Sequence, residues 1–392
     1  MNIAIFASAF HPHFGGVEEL CRQLALEYRR RGLGAIVVTN RWPRNLPREE
    51  IFEGIPVLRF AMRTPTGNMR GRLNYRLTHA AICRSMTAAL RRHAIDLLHI
   101  QCVSSNGLYA LHAKQVLGLP LVTTLQGELT MDAAGLYQKS EYARALLRRV
   151  LANSDAITGC SARTLRDGEI FYGKPFDSRG HVVFNGASVD DFDKGEPFTH
   201  ARPYILAIGR IVPQKGFDTL LRAYAVANPL THDLIIAGDG PELPALKDLA
   251  RDLGISKRVL FPGRADRPAA VALFRGASFF VLPSRADEGL PVVCAEALAA
   301  GKAVVATRSG GTPEAVLHEA QGLIVEKEDV TALAAAIARL SSDETLLAHL
   351  AAGAKARAQR FSWPTIASQY LALYHTLLPS QHAPLPHAHA LA

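Results

Sequence analysis

The chain predicts an α/β protein built from two consecutive parallel-sheet units. Short β-branched runs alternate with helix-forming segments along most of the sequence, the pattern of parallel strands joined by helical crossovers. Near residue 190 this alternation gives way to a polar stretch broken by prolines, and afterwards it restarts. The length of 392 residues suits two domains. Hydrophobic residues at 48% against charged residues at 20% exclude wholesale disorder.

Taken in order, Ile3–Ala7 reads as the first strand, Gly15 and Gly16 follow it, and Val17–Arg31 has helical spacing. Ala35–Thr39, Leu97–Ile100, Leu121–Thr124, Ala156–Thr158 and Val182–Phe184 are the next strands, with helices at Ala80–Arg92 and Ser140–Asn153. Asp190–Pro203 is the linker, which sets the expected units at 1–195 and 203–362. In the second unit, strands are expected at Tyr204–Ile208, Asp233–Ala237, Val259–Phe261, Phe279–Leu282, Ala303–Ala306 and Leu323–Val325. Helices are expected at Phe217–Ala227, Leu243–Asp252, Arg267–Gly276, Val292–Ala300 and Val330–Leu340. Residues 363–378 form an amphipathic helix, superfluous to the second sheet and expected to cross the domain boundary. Residues 379–392, with three Pro and three His, read as a disordered tail.

The amino-terminal apolar run is short and lacks a basic flank, so no signal peptide is expected, and no run of about 18 apolar residues occurs. Five Cys without a C-x-x-C pair make neither a disulfide framework nor a thiolate zinc cage, and a cytoplasmic location follows. The net charge of +9 is concentrated: residues 1–95 hold 15 Lys/Arg against 6 Asp/Glu, and the rest of the chain is balanced. Arg41, Arg44, Arg48, Arg59, Arg63, Arg70, Arg72 and Arg76 crowd there among Trp42, Leu46, Phe52, Met62 and Met69, in loops and short elements interrupted at Pro65–Met69. Such a mixture favours an anionic partner, above all a membrane leaflet. Aromatic-basic stacking of the nucleic-acid kind is absent.

Candidate chemistry collects at strand ends. Gly15 and Gly16 form either a turn that brings backbone N–H groups to an anion or an ordinary strand-to-helix connection; G-x-G-x-x-G is not present. Arg210 and Lys215 share the loop after Tyr204–Ile208, where two cations suit a diphosphate. Glu288, Gly289, Leu290 and Pro291 precede the Val292 helix, and Glu296 lies about one turn inside it, a lone carboxylate in an apolar segment. Carboxylates accept from sugar and ribose hydroxyls, while exposed amides near Leu290 and Pro291 suit a phosphate. Gly238 and Gly240 follow another strand, as do the glycines of Ser309–Glu314. Gln126, Glu128 and Asp132 follow Leu121–Thr124 and should face the same cleft. No H-E-x-x-H or G-x-S-x-G is present, and no metal is assigned.

The segments GRIVPQKG, IIAGDGPE and LPSRADEGLPVVCAEALAAGKAVVATRSGGTPE, with FHPHFGG and HVVFNGASVDDF, resemble the retaining glycosyltransferase family 4 over about residues 1–375. The resemblance implies the GT-B architecture, two Rossmann-like domains facing across a cleft, and transfer from a UDP-, GDP- or other nucleoside diphosphate sugar without a metal. Arg210 and Lys215 then match the diphosphate cations, Glu288 the carboxylate near donor sugar hydroxyls, Glu296 the ribose contact, and Gly16 the amino-terminal glycine loop. Gln126 stands where many members place His, which removes a titrating group but keeps hydrogen bonding. The first domain implies an acceptor side, with Glu128, Asp132, Arg63 and Arg70 as its residues here. The implied acceptor is a glycan or lipid-linked hydroxyl in cell-surface polysaccharide, lipopolysaccharide or glycolipid synthesis, at the inner membrane face. The alternative is a non-catalytic nucleotide-sugar-binding or assembly subunit of the same fold.

Overall fold

The computed structural model describes residues 1–13, 15–65, 69–129, 135–229 and 231–378; Asp132, most of the Pro65–Met69 interruption and the 379–392 tail lie outside the described residues. The first sheet holds β1 (Asn2–Ala7), β2 (Gly34–Asn40), β3 (Glu49–Phe52), β4 (Ile55–Phe60), β5 (Leu97–Gln101), β6 (Leu121–Leu125), β7 (Ala156–Gly159) and β8 (Gly180–Val182). Their order across the sheet is β3-β4-β2-β1-β5-β6-β7-β8, parallel except for the β3–β4 pair. The second sheet holds β9 (Tyr204–Ile208), β10 (Asp233–Ala237), β11 (Val259–Gly263), β12 (Phe279–Leu282), β13 (Val304–Thr307) and β14 (Gly322–Val325) in the order β11-β10-β9-β12-β13-β14, all parallel. Central strands such as β5, β6 and β10 are buried at every residue, because helices cover both faces of a parallel sheet. In each sheet the strand order turns back at one strand, β1 in the first and β9 in the second, and a crevice opens beyond the carboxyl ends there. Two Rossmann-like units thus face each other across a cleft.

Several expectations need correction. The helix expected at Ala80–Arg92 runs over Met69–Arg92, so Arg70, Arg72 and Arg76 sit on a helix and not in loops. The basic region also contains β3 and β4, and Arg59 on β4 is buried and ion-paired with Glu50. Met62 is buried and Phe52 stacks on His11 at 3.9 Å, so neither belongs to an exposed face. Strand β8 lies earlier than Val182–Phe184, and Ser105–Leu117, Ala162–Tyr172 and Glu344–Ala358 are further helices. The Asp190–Pro203 stretch opens inside a 3-10 turn, Val189–Asp193, whose Val189 and Phe192 are buried in the core of the second sheet.

The helix Trp363–Leu377 packs against the first sheet and not the second. Ser362 caps it by accepting from the Thr365 N–H, and Pro364 occupies its first turn. Its buried face, Trp363, Ile366, Ala367, Tyr370, Leu373 and Tyr374, joins a core with Ile3, Leu24 and Val122. Arg31 donates to the Pro364 carbonyl (2.7 Å) and to Ser368 Oγ (3.0 Å), fastening it to the helix Gly16–Arg30. Just before this helix, the Phe361 carbonyl accepts from the Ala187 N–H at 2.7 Å.

Candidate active site

The loop after β9 carries Arg210, which is exposed, and then a 3-10 turn, Pro213–Lys215. The loop after β12 carries Ser284 and Glu288. These two loops are stitched together by backbone bonds from Arg285 and Ala286 to the Gln214 carbonyl (3.0 and 3.2 Å) and by an Arg285–Asp218 ion pair at 2.7 Å. The result is a buried ion pair: Lys215 Nζ donates to Glu288 Oε1 at 2.6 Å, and Ser284 Oγ donates to the same oxygen at 2.6 Å. The Glu288 side chain is 7% exposed and that of Lys215 20%. The loop after β13 closes over the pair, with Gly311 N–H donating to the Glu288 carbonyl at 2.8 Å. Gly310 adopts φ +53°, and a Cβ there would overlap the Glu288 backbone, so only glycine lets the two loops meet.

Gly238 and Gly240 abut the backbone of Gly209 and Ile211, flanking the Arg210 loop. Leu290 is buried in the core of the second sheet, and Pro291 stands at the N-cap of the helix Val292–Ala299. Gly289 packs so closely on the carbonyl of Gln126 that a Cβ would lie 2.7 Å from it, which brings the first unit's loop against the second's.

Glu296 is placed elsewhere. It is ion-paired with Arg267, which also reaches Asp191 at 2.9 Å and lies 5.0 Å over the Phe192 ring. Glu296, Val292, Gly16, Glu19, Asn185 and Arg267 are among the residues around a cavity of about 600 Å³, while the Lys215–Glu288 pair stands outside its wall. Burial pushes the Glu296 carboxyl above its ordinary range, opposed by Arg267. Gly15 is the N-cap of the helix that begins at Gly16, and having no side chain it offers no cap to the first amides.

On the first unit, Gln126 is half-buried and its Nε2 donates to Gln101 Oε1 at 3.0 Å. Glu128 is buried, accepts from the backbone N–H groups of Gln126 (2.6 Å) and Val103 (3.1 Å), and braces the loop. Burial raises its carboxyl and those backbone donors pull it back. Arg63 is half-buried, with its carbonyl accepting from Tyr109 at 2.9 Å, and Arg70 is exposed.

Three groups here were not read from the sequence. Ser284 lies four residues before Glu288, Arg267 opens its helix, and Glu314 ends the Ser309–Glu314 motif. The Glu314 carboxylate accepts from the Ala162 and Arg163 N–H groups (2.7 and 3.0 Å) at the start of the helix Ala162–Tyr172, across the cleft. Arg163 adds an ion pair with Asp287 at 3.2 Å. Among the described residues no group of three or more His, Cys, Asp or Glu is arranged to hold a metal ion, and no helix is long and apolar enough to cross a membrane.

Two family models match the chain, "Glycosyltransferase Family 4" over residues 14–191 and "Glycosyl transferases group 1" over residues 188–357. The GDP-mannose-dependent alpha-(1-6)-phosphatidylinositol monomannoside mannosyltransferase of Mycobacterium tuberculosis is 33% identical over 247 residues, covering 58% of this chain and 63% of that protein's length. The D-inositol 3-phosphate glycosyltransferase of Thermobispora bispora is 29% identical over 408 residues, covering 95% of this chain and 92% of that protein. Among solved structures, the sucrose-phosphate synthase of Thermosynechococcus elongatus superposes with a TM-score of 0.75 at 22% identity, covering 96% of this chain and 98% of that one, a likeness of fold.

Proposed function

Since the chain belongs to the GT-B-fold glycosyltransferases related to family 4, we propose that it moves a sugar, with retention, from a nucleoside diphosphate sugar to a hydroxyl of a glycan or lipid-linked acceptor. The observation that carries this reading is the Lys215–Glu288 pair, set beside Arg210 at the strand where the second sheet turns back. Arg210 and Lys215 hold the diphosphate and stabilise the charge that grows on it as the glycosidic bond breaks. Lys215 and Ser284 both use Glu288 Oε1, so Oε2 is the oxygen that accepts from a donor sugar hydroxyl. Arg267 uses Glu296 Oε1, and Oε2 accepts from the ribose. The acceptor hydroxyl attacks on the diphosphate side, Gln126 lies at that reacting edge, and the departing phosphate oxygen takes the proton.

The donor and the acceptor class draw on the relatives. One is named for GDP-mannose and phosphatidylinositol monomannoside, the other for inositol 3-phosphate, and both names carry a phosphate-bearing acceptor. A phosphate-bearing or lipid-linked glycan at the inner membrane face, in cell-surface polysaccharide or glycolipid synthesis, fits the basic first unit. Protection against thermal unfolding by GDP-mannose, UDP-glucose and UDP-N-acetylglucosamine tests the donor: the true donor raises Tm most at matched concentration, through linkage. If none of them, nor GDP or UDP alone, moves Tm, the nucleotide-sugar reading fails.

A further inference from the structure

A polar ladder runs through the core of the first sheet and surfaces at Gln126. Residues of one strand point alternately to opposite faces, so His99 and Gln101 on β5 share a face. Thr124 on β6 and Thr158 on β7 stand beside them. All four are completely buried. Apolar side chains would fill this space at no desolvation cost, whereas buried amides and imidazoles are tolerated only when hydrogen-bonded. Here they are. Gln126 Nε2 donates to Gln101 Oε1 at 3.0 Å, and Gln101 Nε2 donates to His99 Nε2 at 3.1 Å. Thr124 Oγ1 lies 2.7 Å from that same ring nitrogen and 2.6 Å from Thr158 Oγ1.

The other ring nitrogen, Nδ1, lies 2.6 Å from Tyr374 Oη, which is 3.1 Å from Tyr28 Oη. Tyr370, one turn earlier on the same helix, reaches Thr124 at 3.2 Å. Burial drives the His99 pKa down to about 3, so the ring is neutral, with one donor and one acceptor nitrogen. With Nε2 accepting, Nδ1–H donates to Tyr374 and every bond in the chain has a donor. The ladder therefore joins a side chain at the cleft to the helix that crosses between the units.

We infer that Gln101 and His99, anchored on Tyr374, are positioning residues that hold the Gln126 amide at the cleft in a single orientation, its NH2 turned inward and its carbonyl oxygen free to accept from the substrate. This rests on the reading of Gln126 as part of the transfer site. The backbone of Gln126 is fixed separately, by Glu128 and by Gly289, so the ladder acts on the side chain.

A double-mutant cycle on the full chain tests it. The rate read is release of GDP from GDP-mannose or of UDP from UDP-glucose, with kcat and KM resolved. Gln101→Leu keeps the volume and removes the ladder bond. It is expected to lower kcat about 10- to 100-fold, as misplaced reacting groups do, with donor KM within about twofold. In a Gln126→Ala background the same change should cost nothing further. Tyr374→Phe, which removes one hydroxyl far from the cleft, is the gentler arm. It should lower kcat by a smaller factor and again only when Gln126 is present. Losses that multiply in the Gln126→Ala background would make the ladder merely structural and overturn the inference, as would full kcat in Gln101→Leu. Wild-type kcat in Gln126→Ala alone would refute the role of Gln126 itself, a result distinct from either and equally fatal to the inference.

Discussion

Lys215 has two tasks that can be separated by experiment. It neutralises the buried Glu288 carboxylate, and in the proposed reaction it meets the departing diphosphate. Removing one member of such a pair leaves an uncompensated charge, at a cost of about 3–5 kcal/mol. Lys215→Ala should therefore lower both Tm and turnover, the latter by at least about 100-fold. The double variant Lys215→Ala/Glu288→Gln no longer buries an unpaired charge, so its Tm should recover while its turnover stays low. Recovery of both, by melting curves and steady-state rates, would reduce the lysine to a structural counter-ion. Glu296 behaves differently, because Arg267 already holds it. Glu296→Gln should weaken binding of the bare nucleoside diphosphate in calorimetry, and unchanged affinity would remove it from the ribose site.

At the scale of elements, the Glu314 carboxylate seated on the first amides of Ala162–Tyr172 ties the loop that covers Glu288 to the opposite unit. A carboxylate at a helix amino terminus contributes about 0.3–2 kcal/mol, enough to bias an open–closed equilibrium without deciding it. Glu314→Ala should enlarge the radius of gyration in small-angle scattering without nucleotide, and an unchanged scattering curve would rule out such a latch. In the second sheet β9, β10 and β12 were legible because burial on both faces writes them as apolar runs, closed by Gly209, Gly238 and Pro283. β3 and β4 were not, since an edge hairpin with an alternately exposed strand, Glu49–Phe52, reads as polar chain. The first turns of Met69–Arg92 were hidden by their exposure, and Glu344–Ala358 by its alanine-rich, weakly periodic face. In the candidate site, Lys215 and Glu288 stood out through loop position and motif. Ser284, Arg267, Glu314, Gln101 and His99 did not, because their partners are set by strand register and by the approach of the two units. Nothing local marks His99, whose partners include a tyrosine on a helix far along the chain.

Across the whole molecule, the exposed face of Met69–Arg92 sets Arg72 and Arg76 beside Leu73 and Leu77, the two leucines 57% and 70% exposed, and Trp42 is 61% exposed. Vesicles carrying anionic lipid should co-sediment the protein at low salt and release it as salt screens the charges, while neutral vesicles should not hold it. Equal absence from both would remove the membrane proposal and leave sugar transfer standing. Stability should also respond to acid through His99. Its pKa is depressed from 6.5 to about 3 in the folded chain, so between those values only the unfolded chain takes up this proton. Stability is then complete above pH 6.5 and declines as pH falls, by up to about 1.4 kcal/mol per pH unit for one proton. His99→Gln should flatten that slope in denaturant titrations; an identical slope would contradict the assignment. The crossing helix carries a different kind of consequence. Its residues leave the ribosome only after the entire second sheet, yet they cover Ile3, Leu24 and Val122 of the first. The first unit therefore emerges with one apolar flank bare throughout synthesis of the second, and a chaperone has a client for that whole interval.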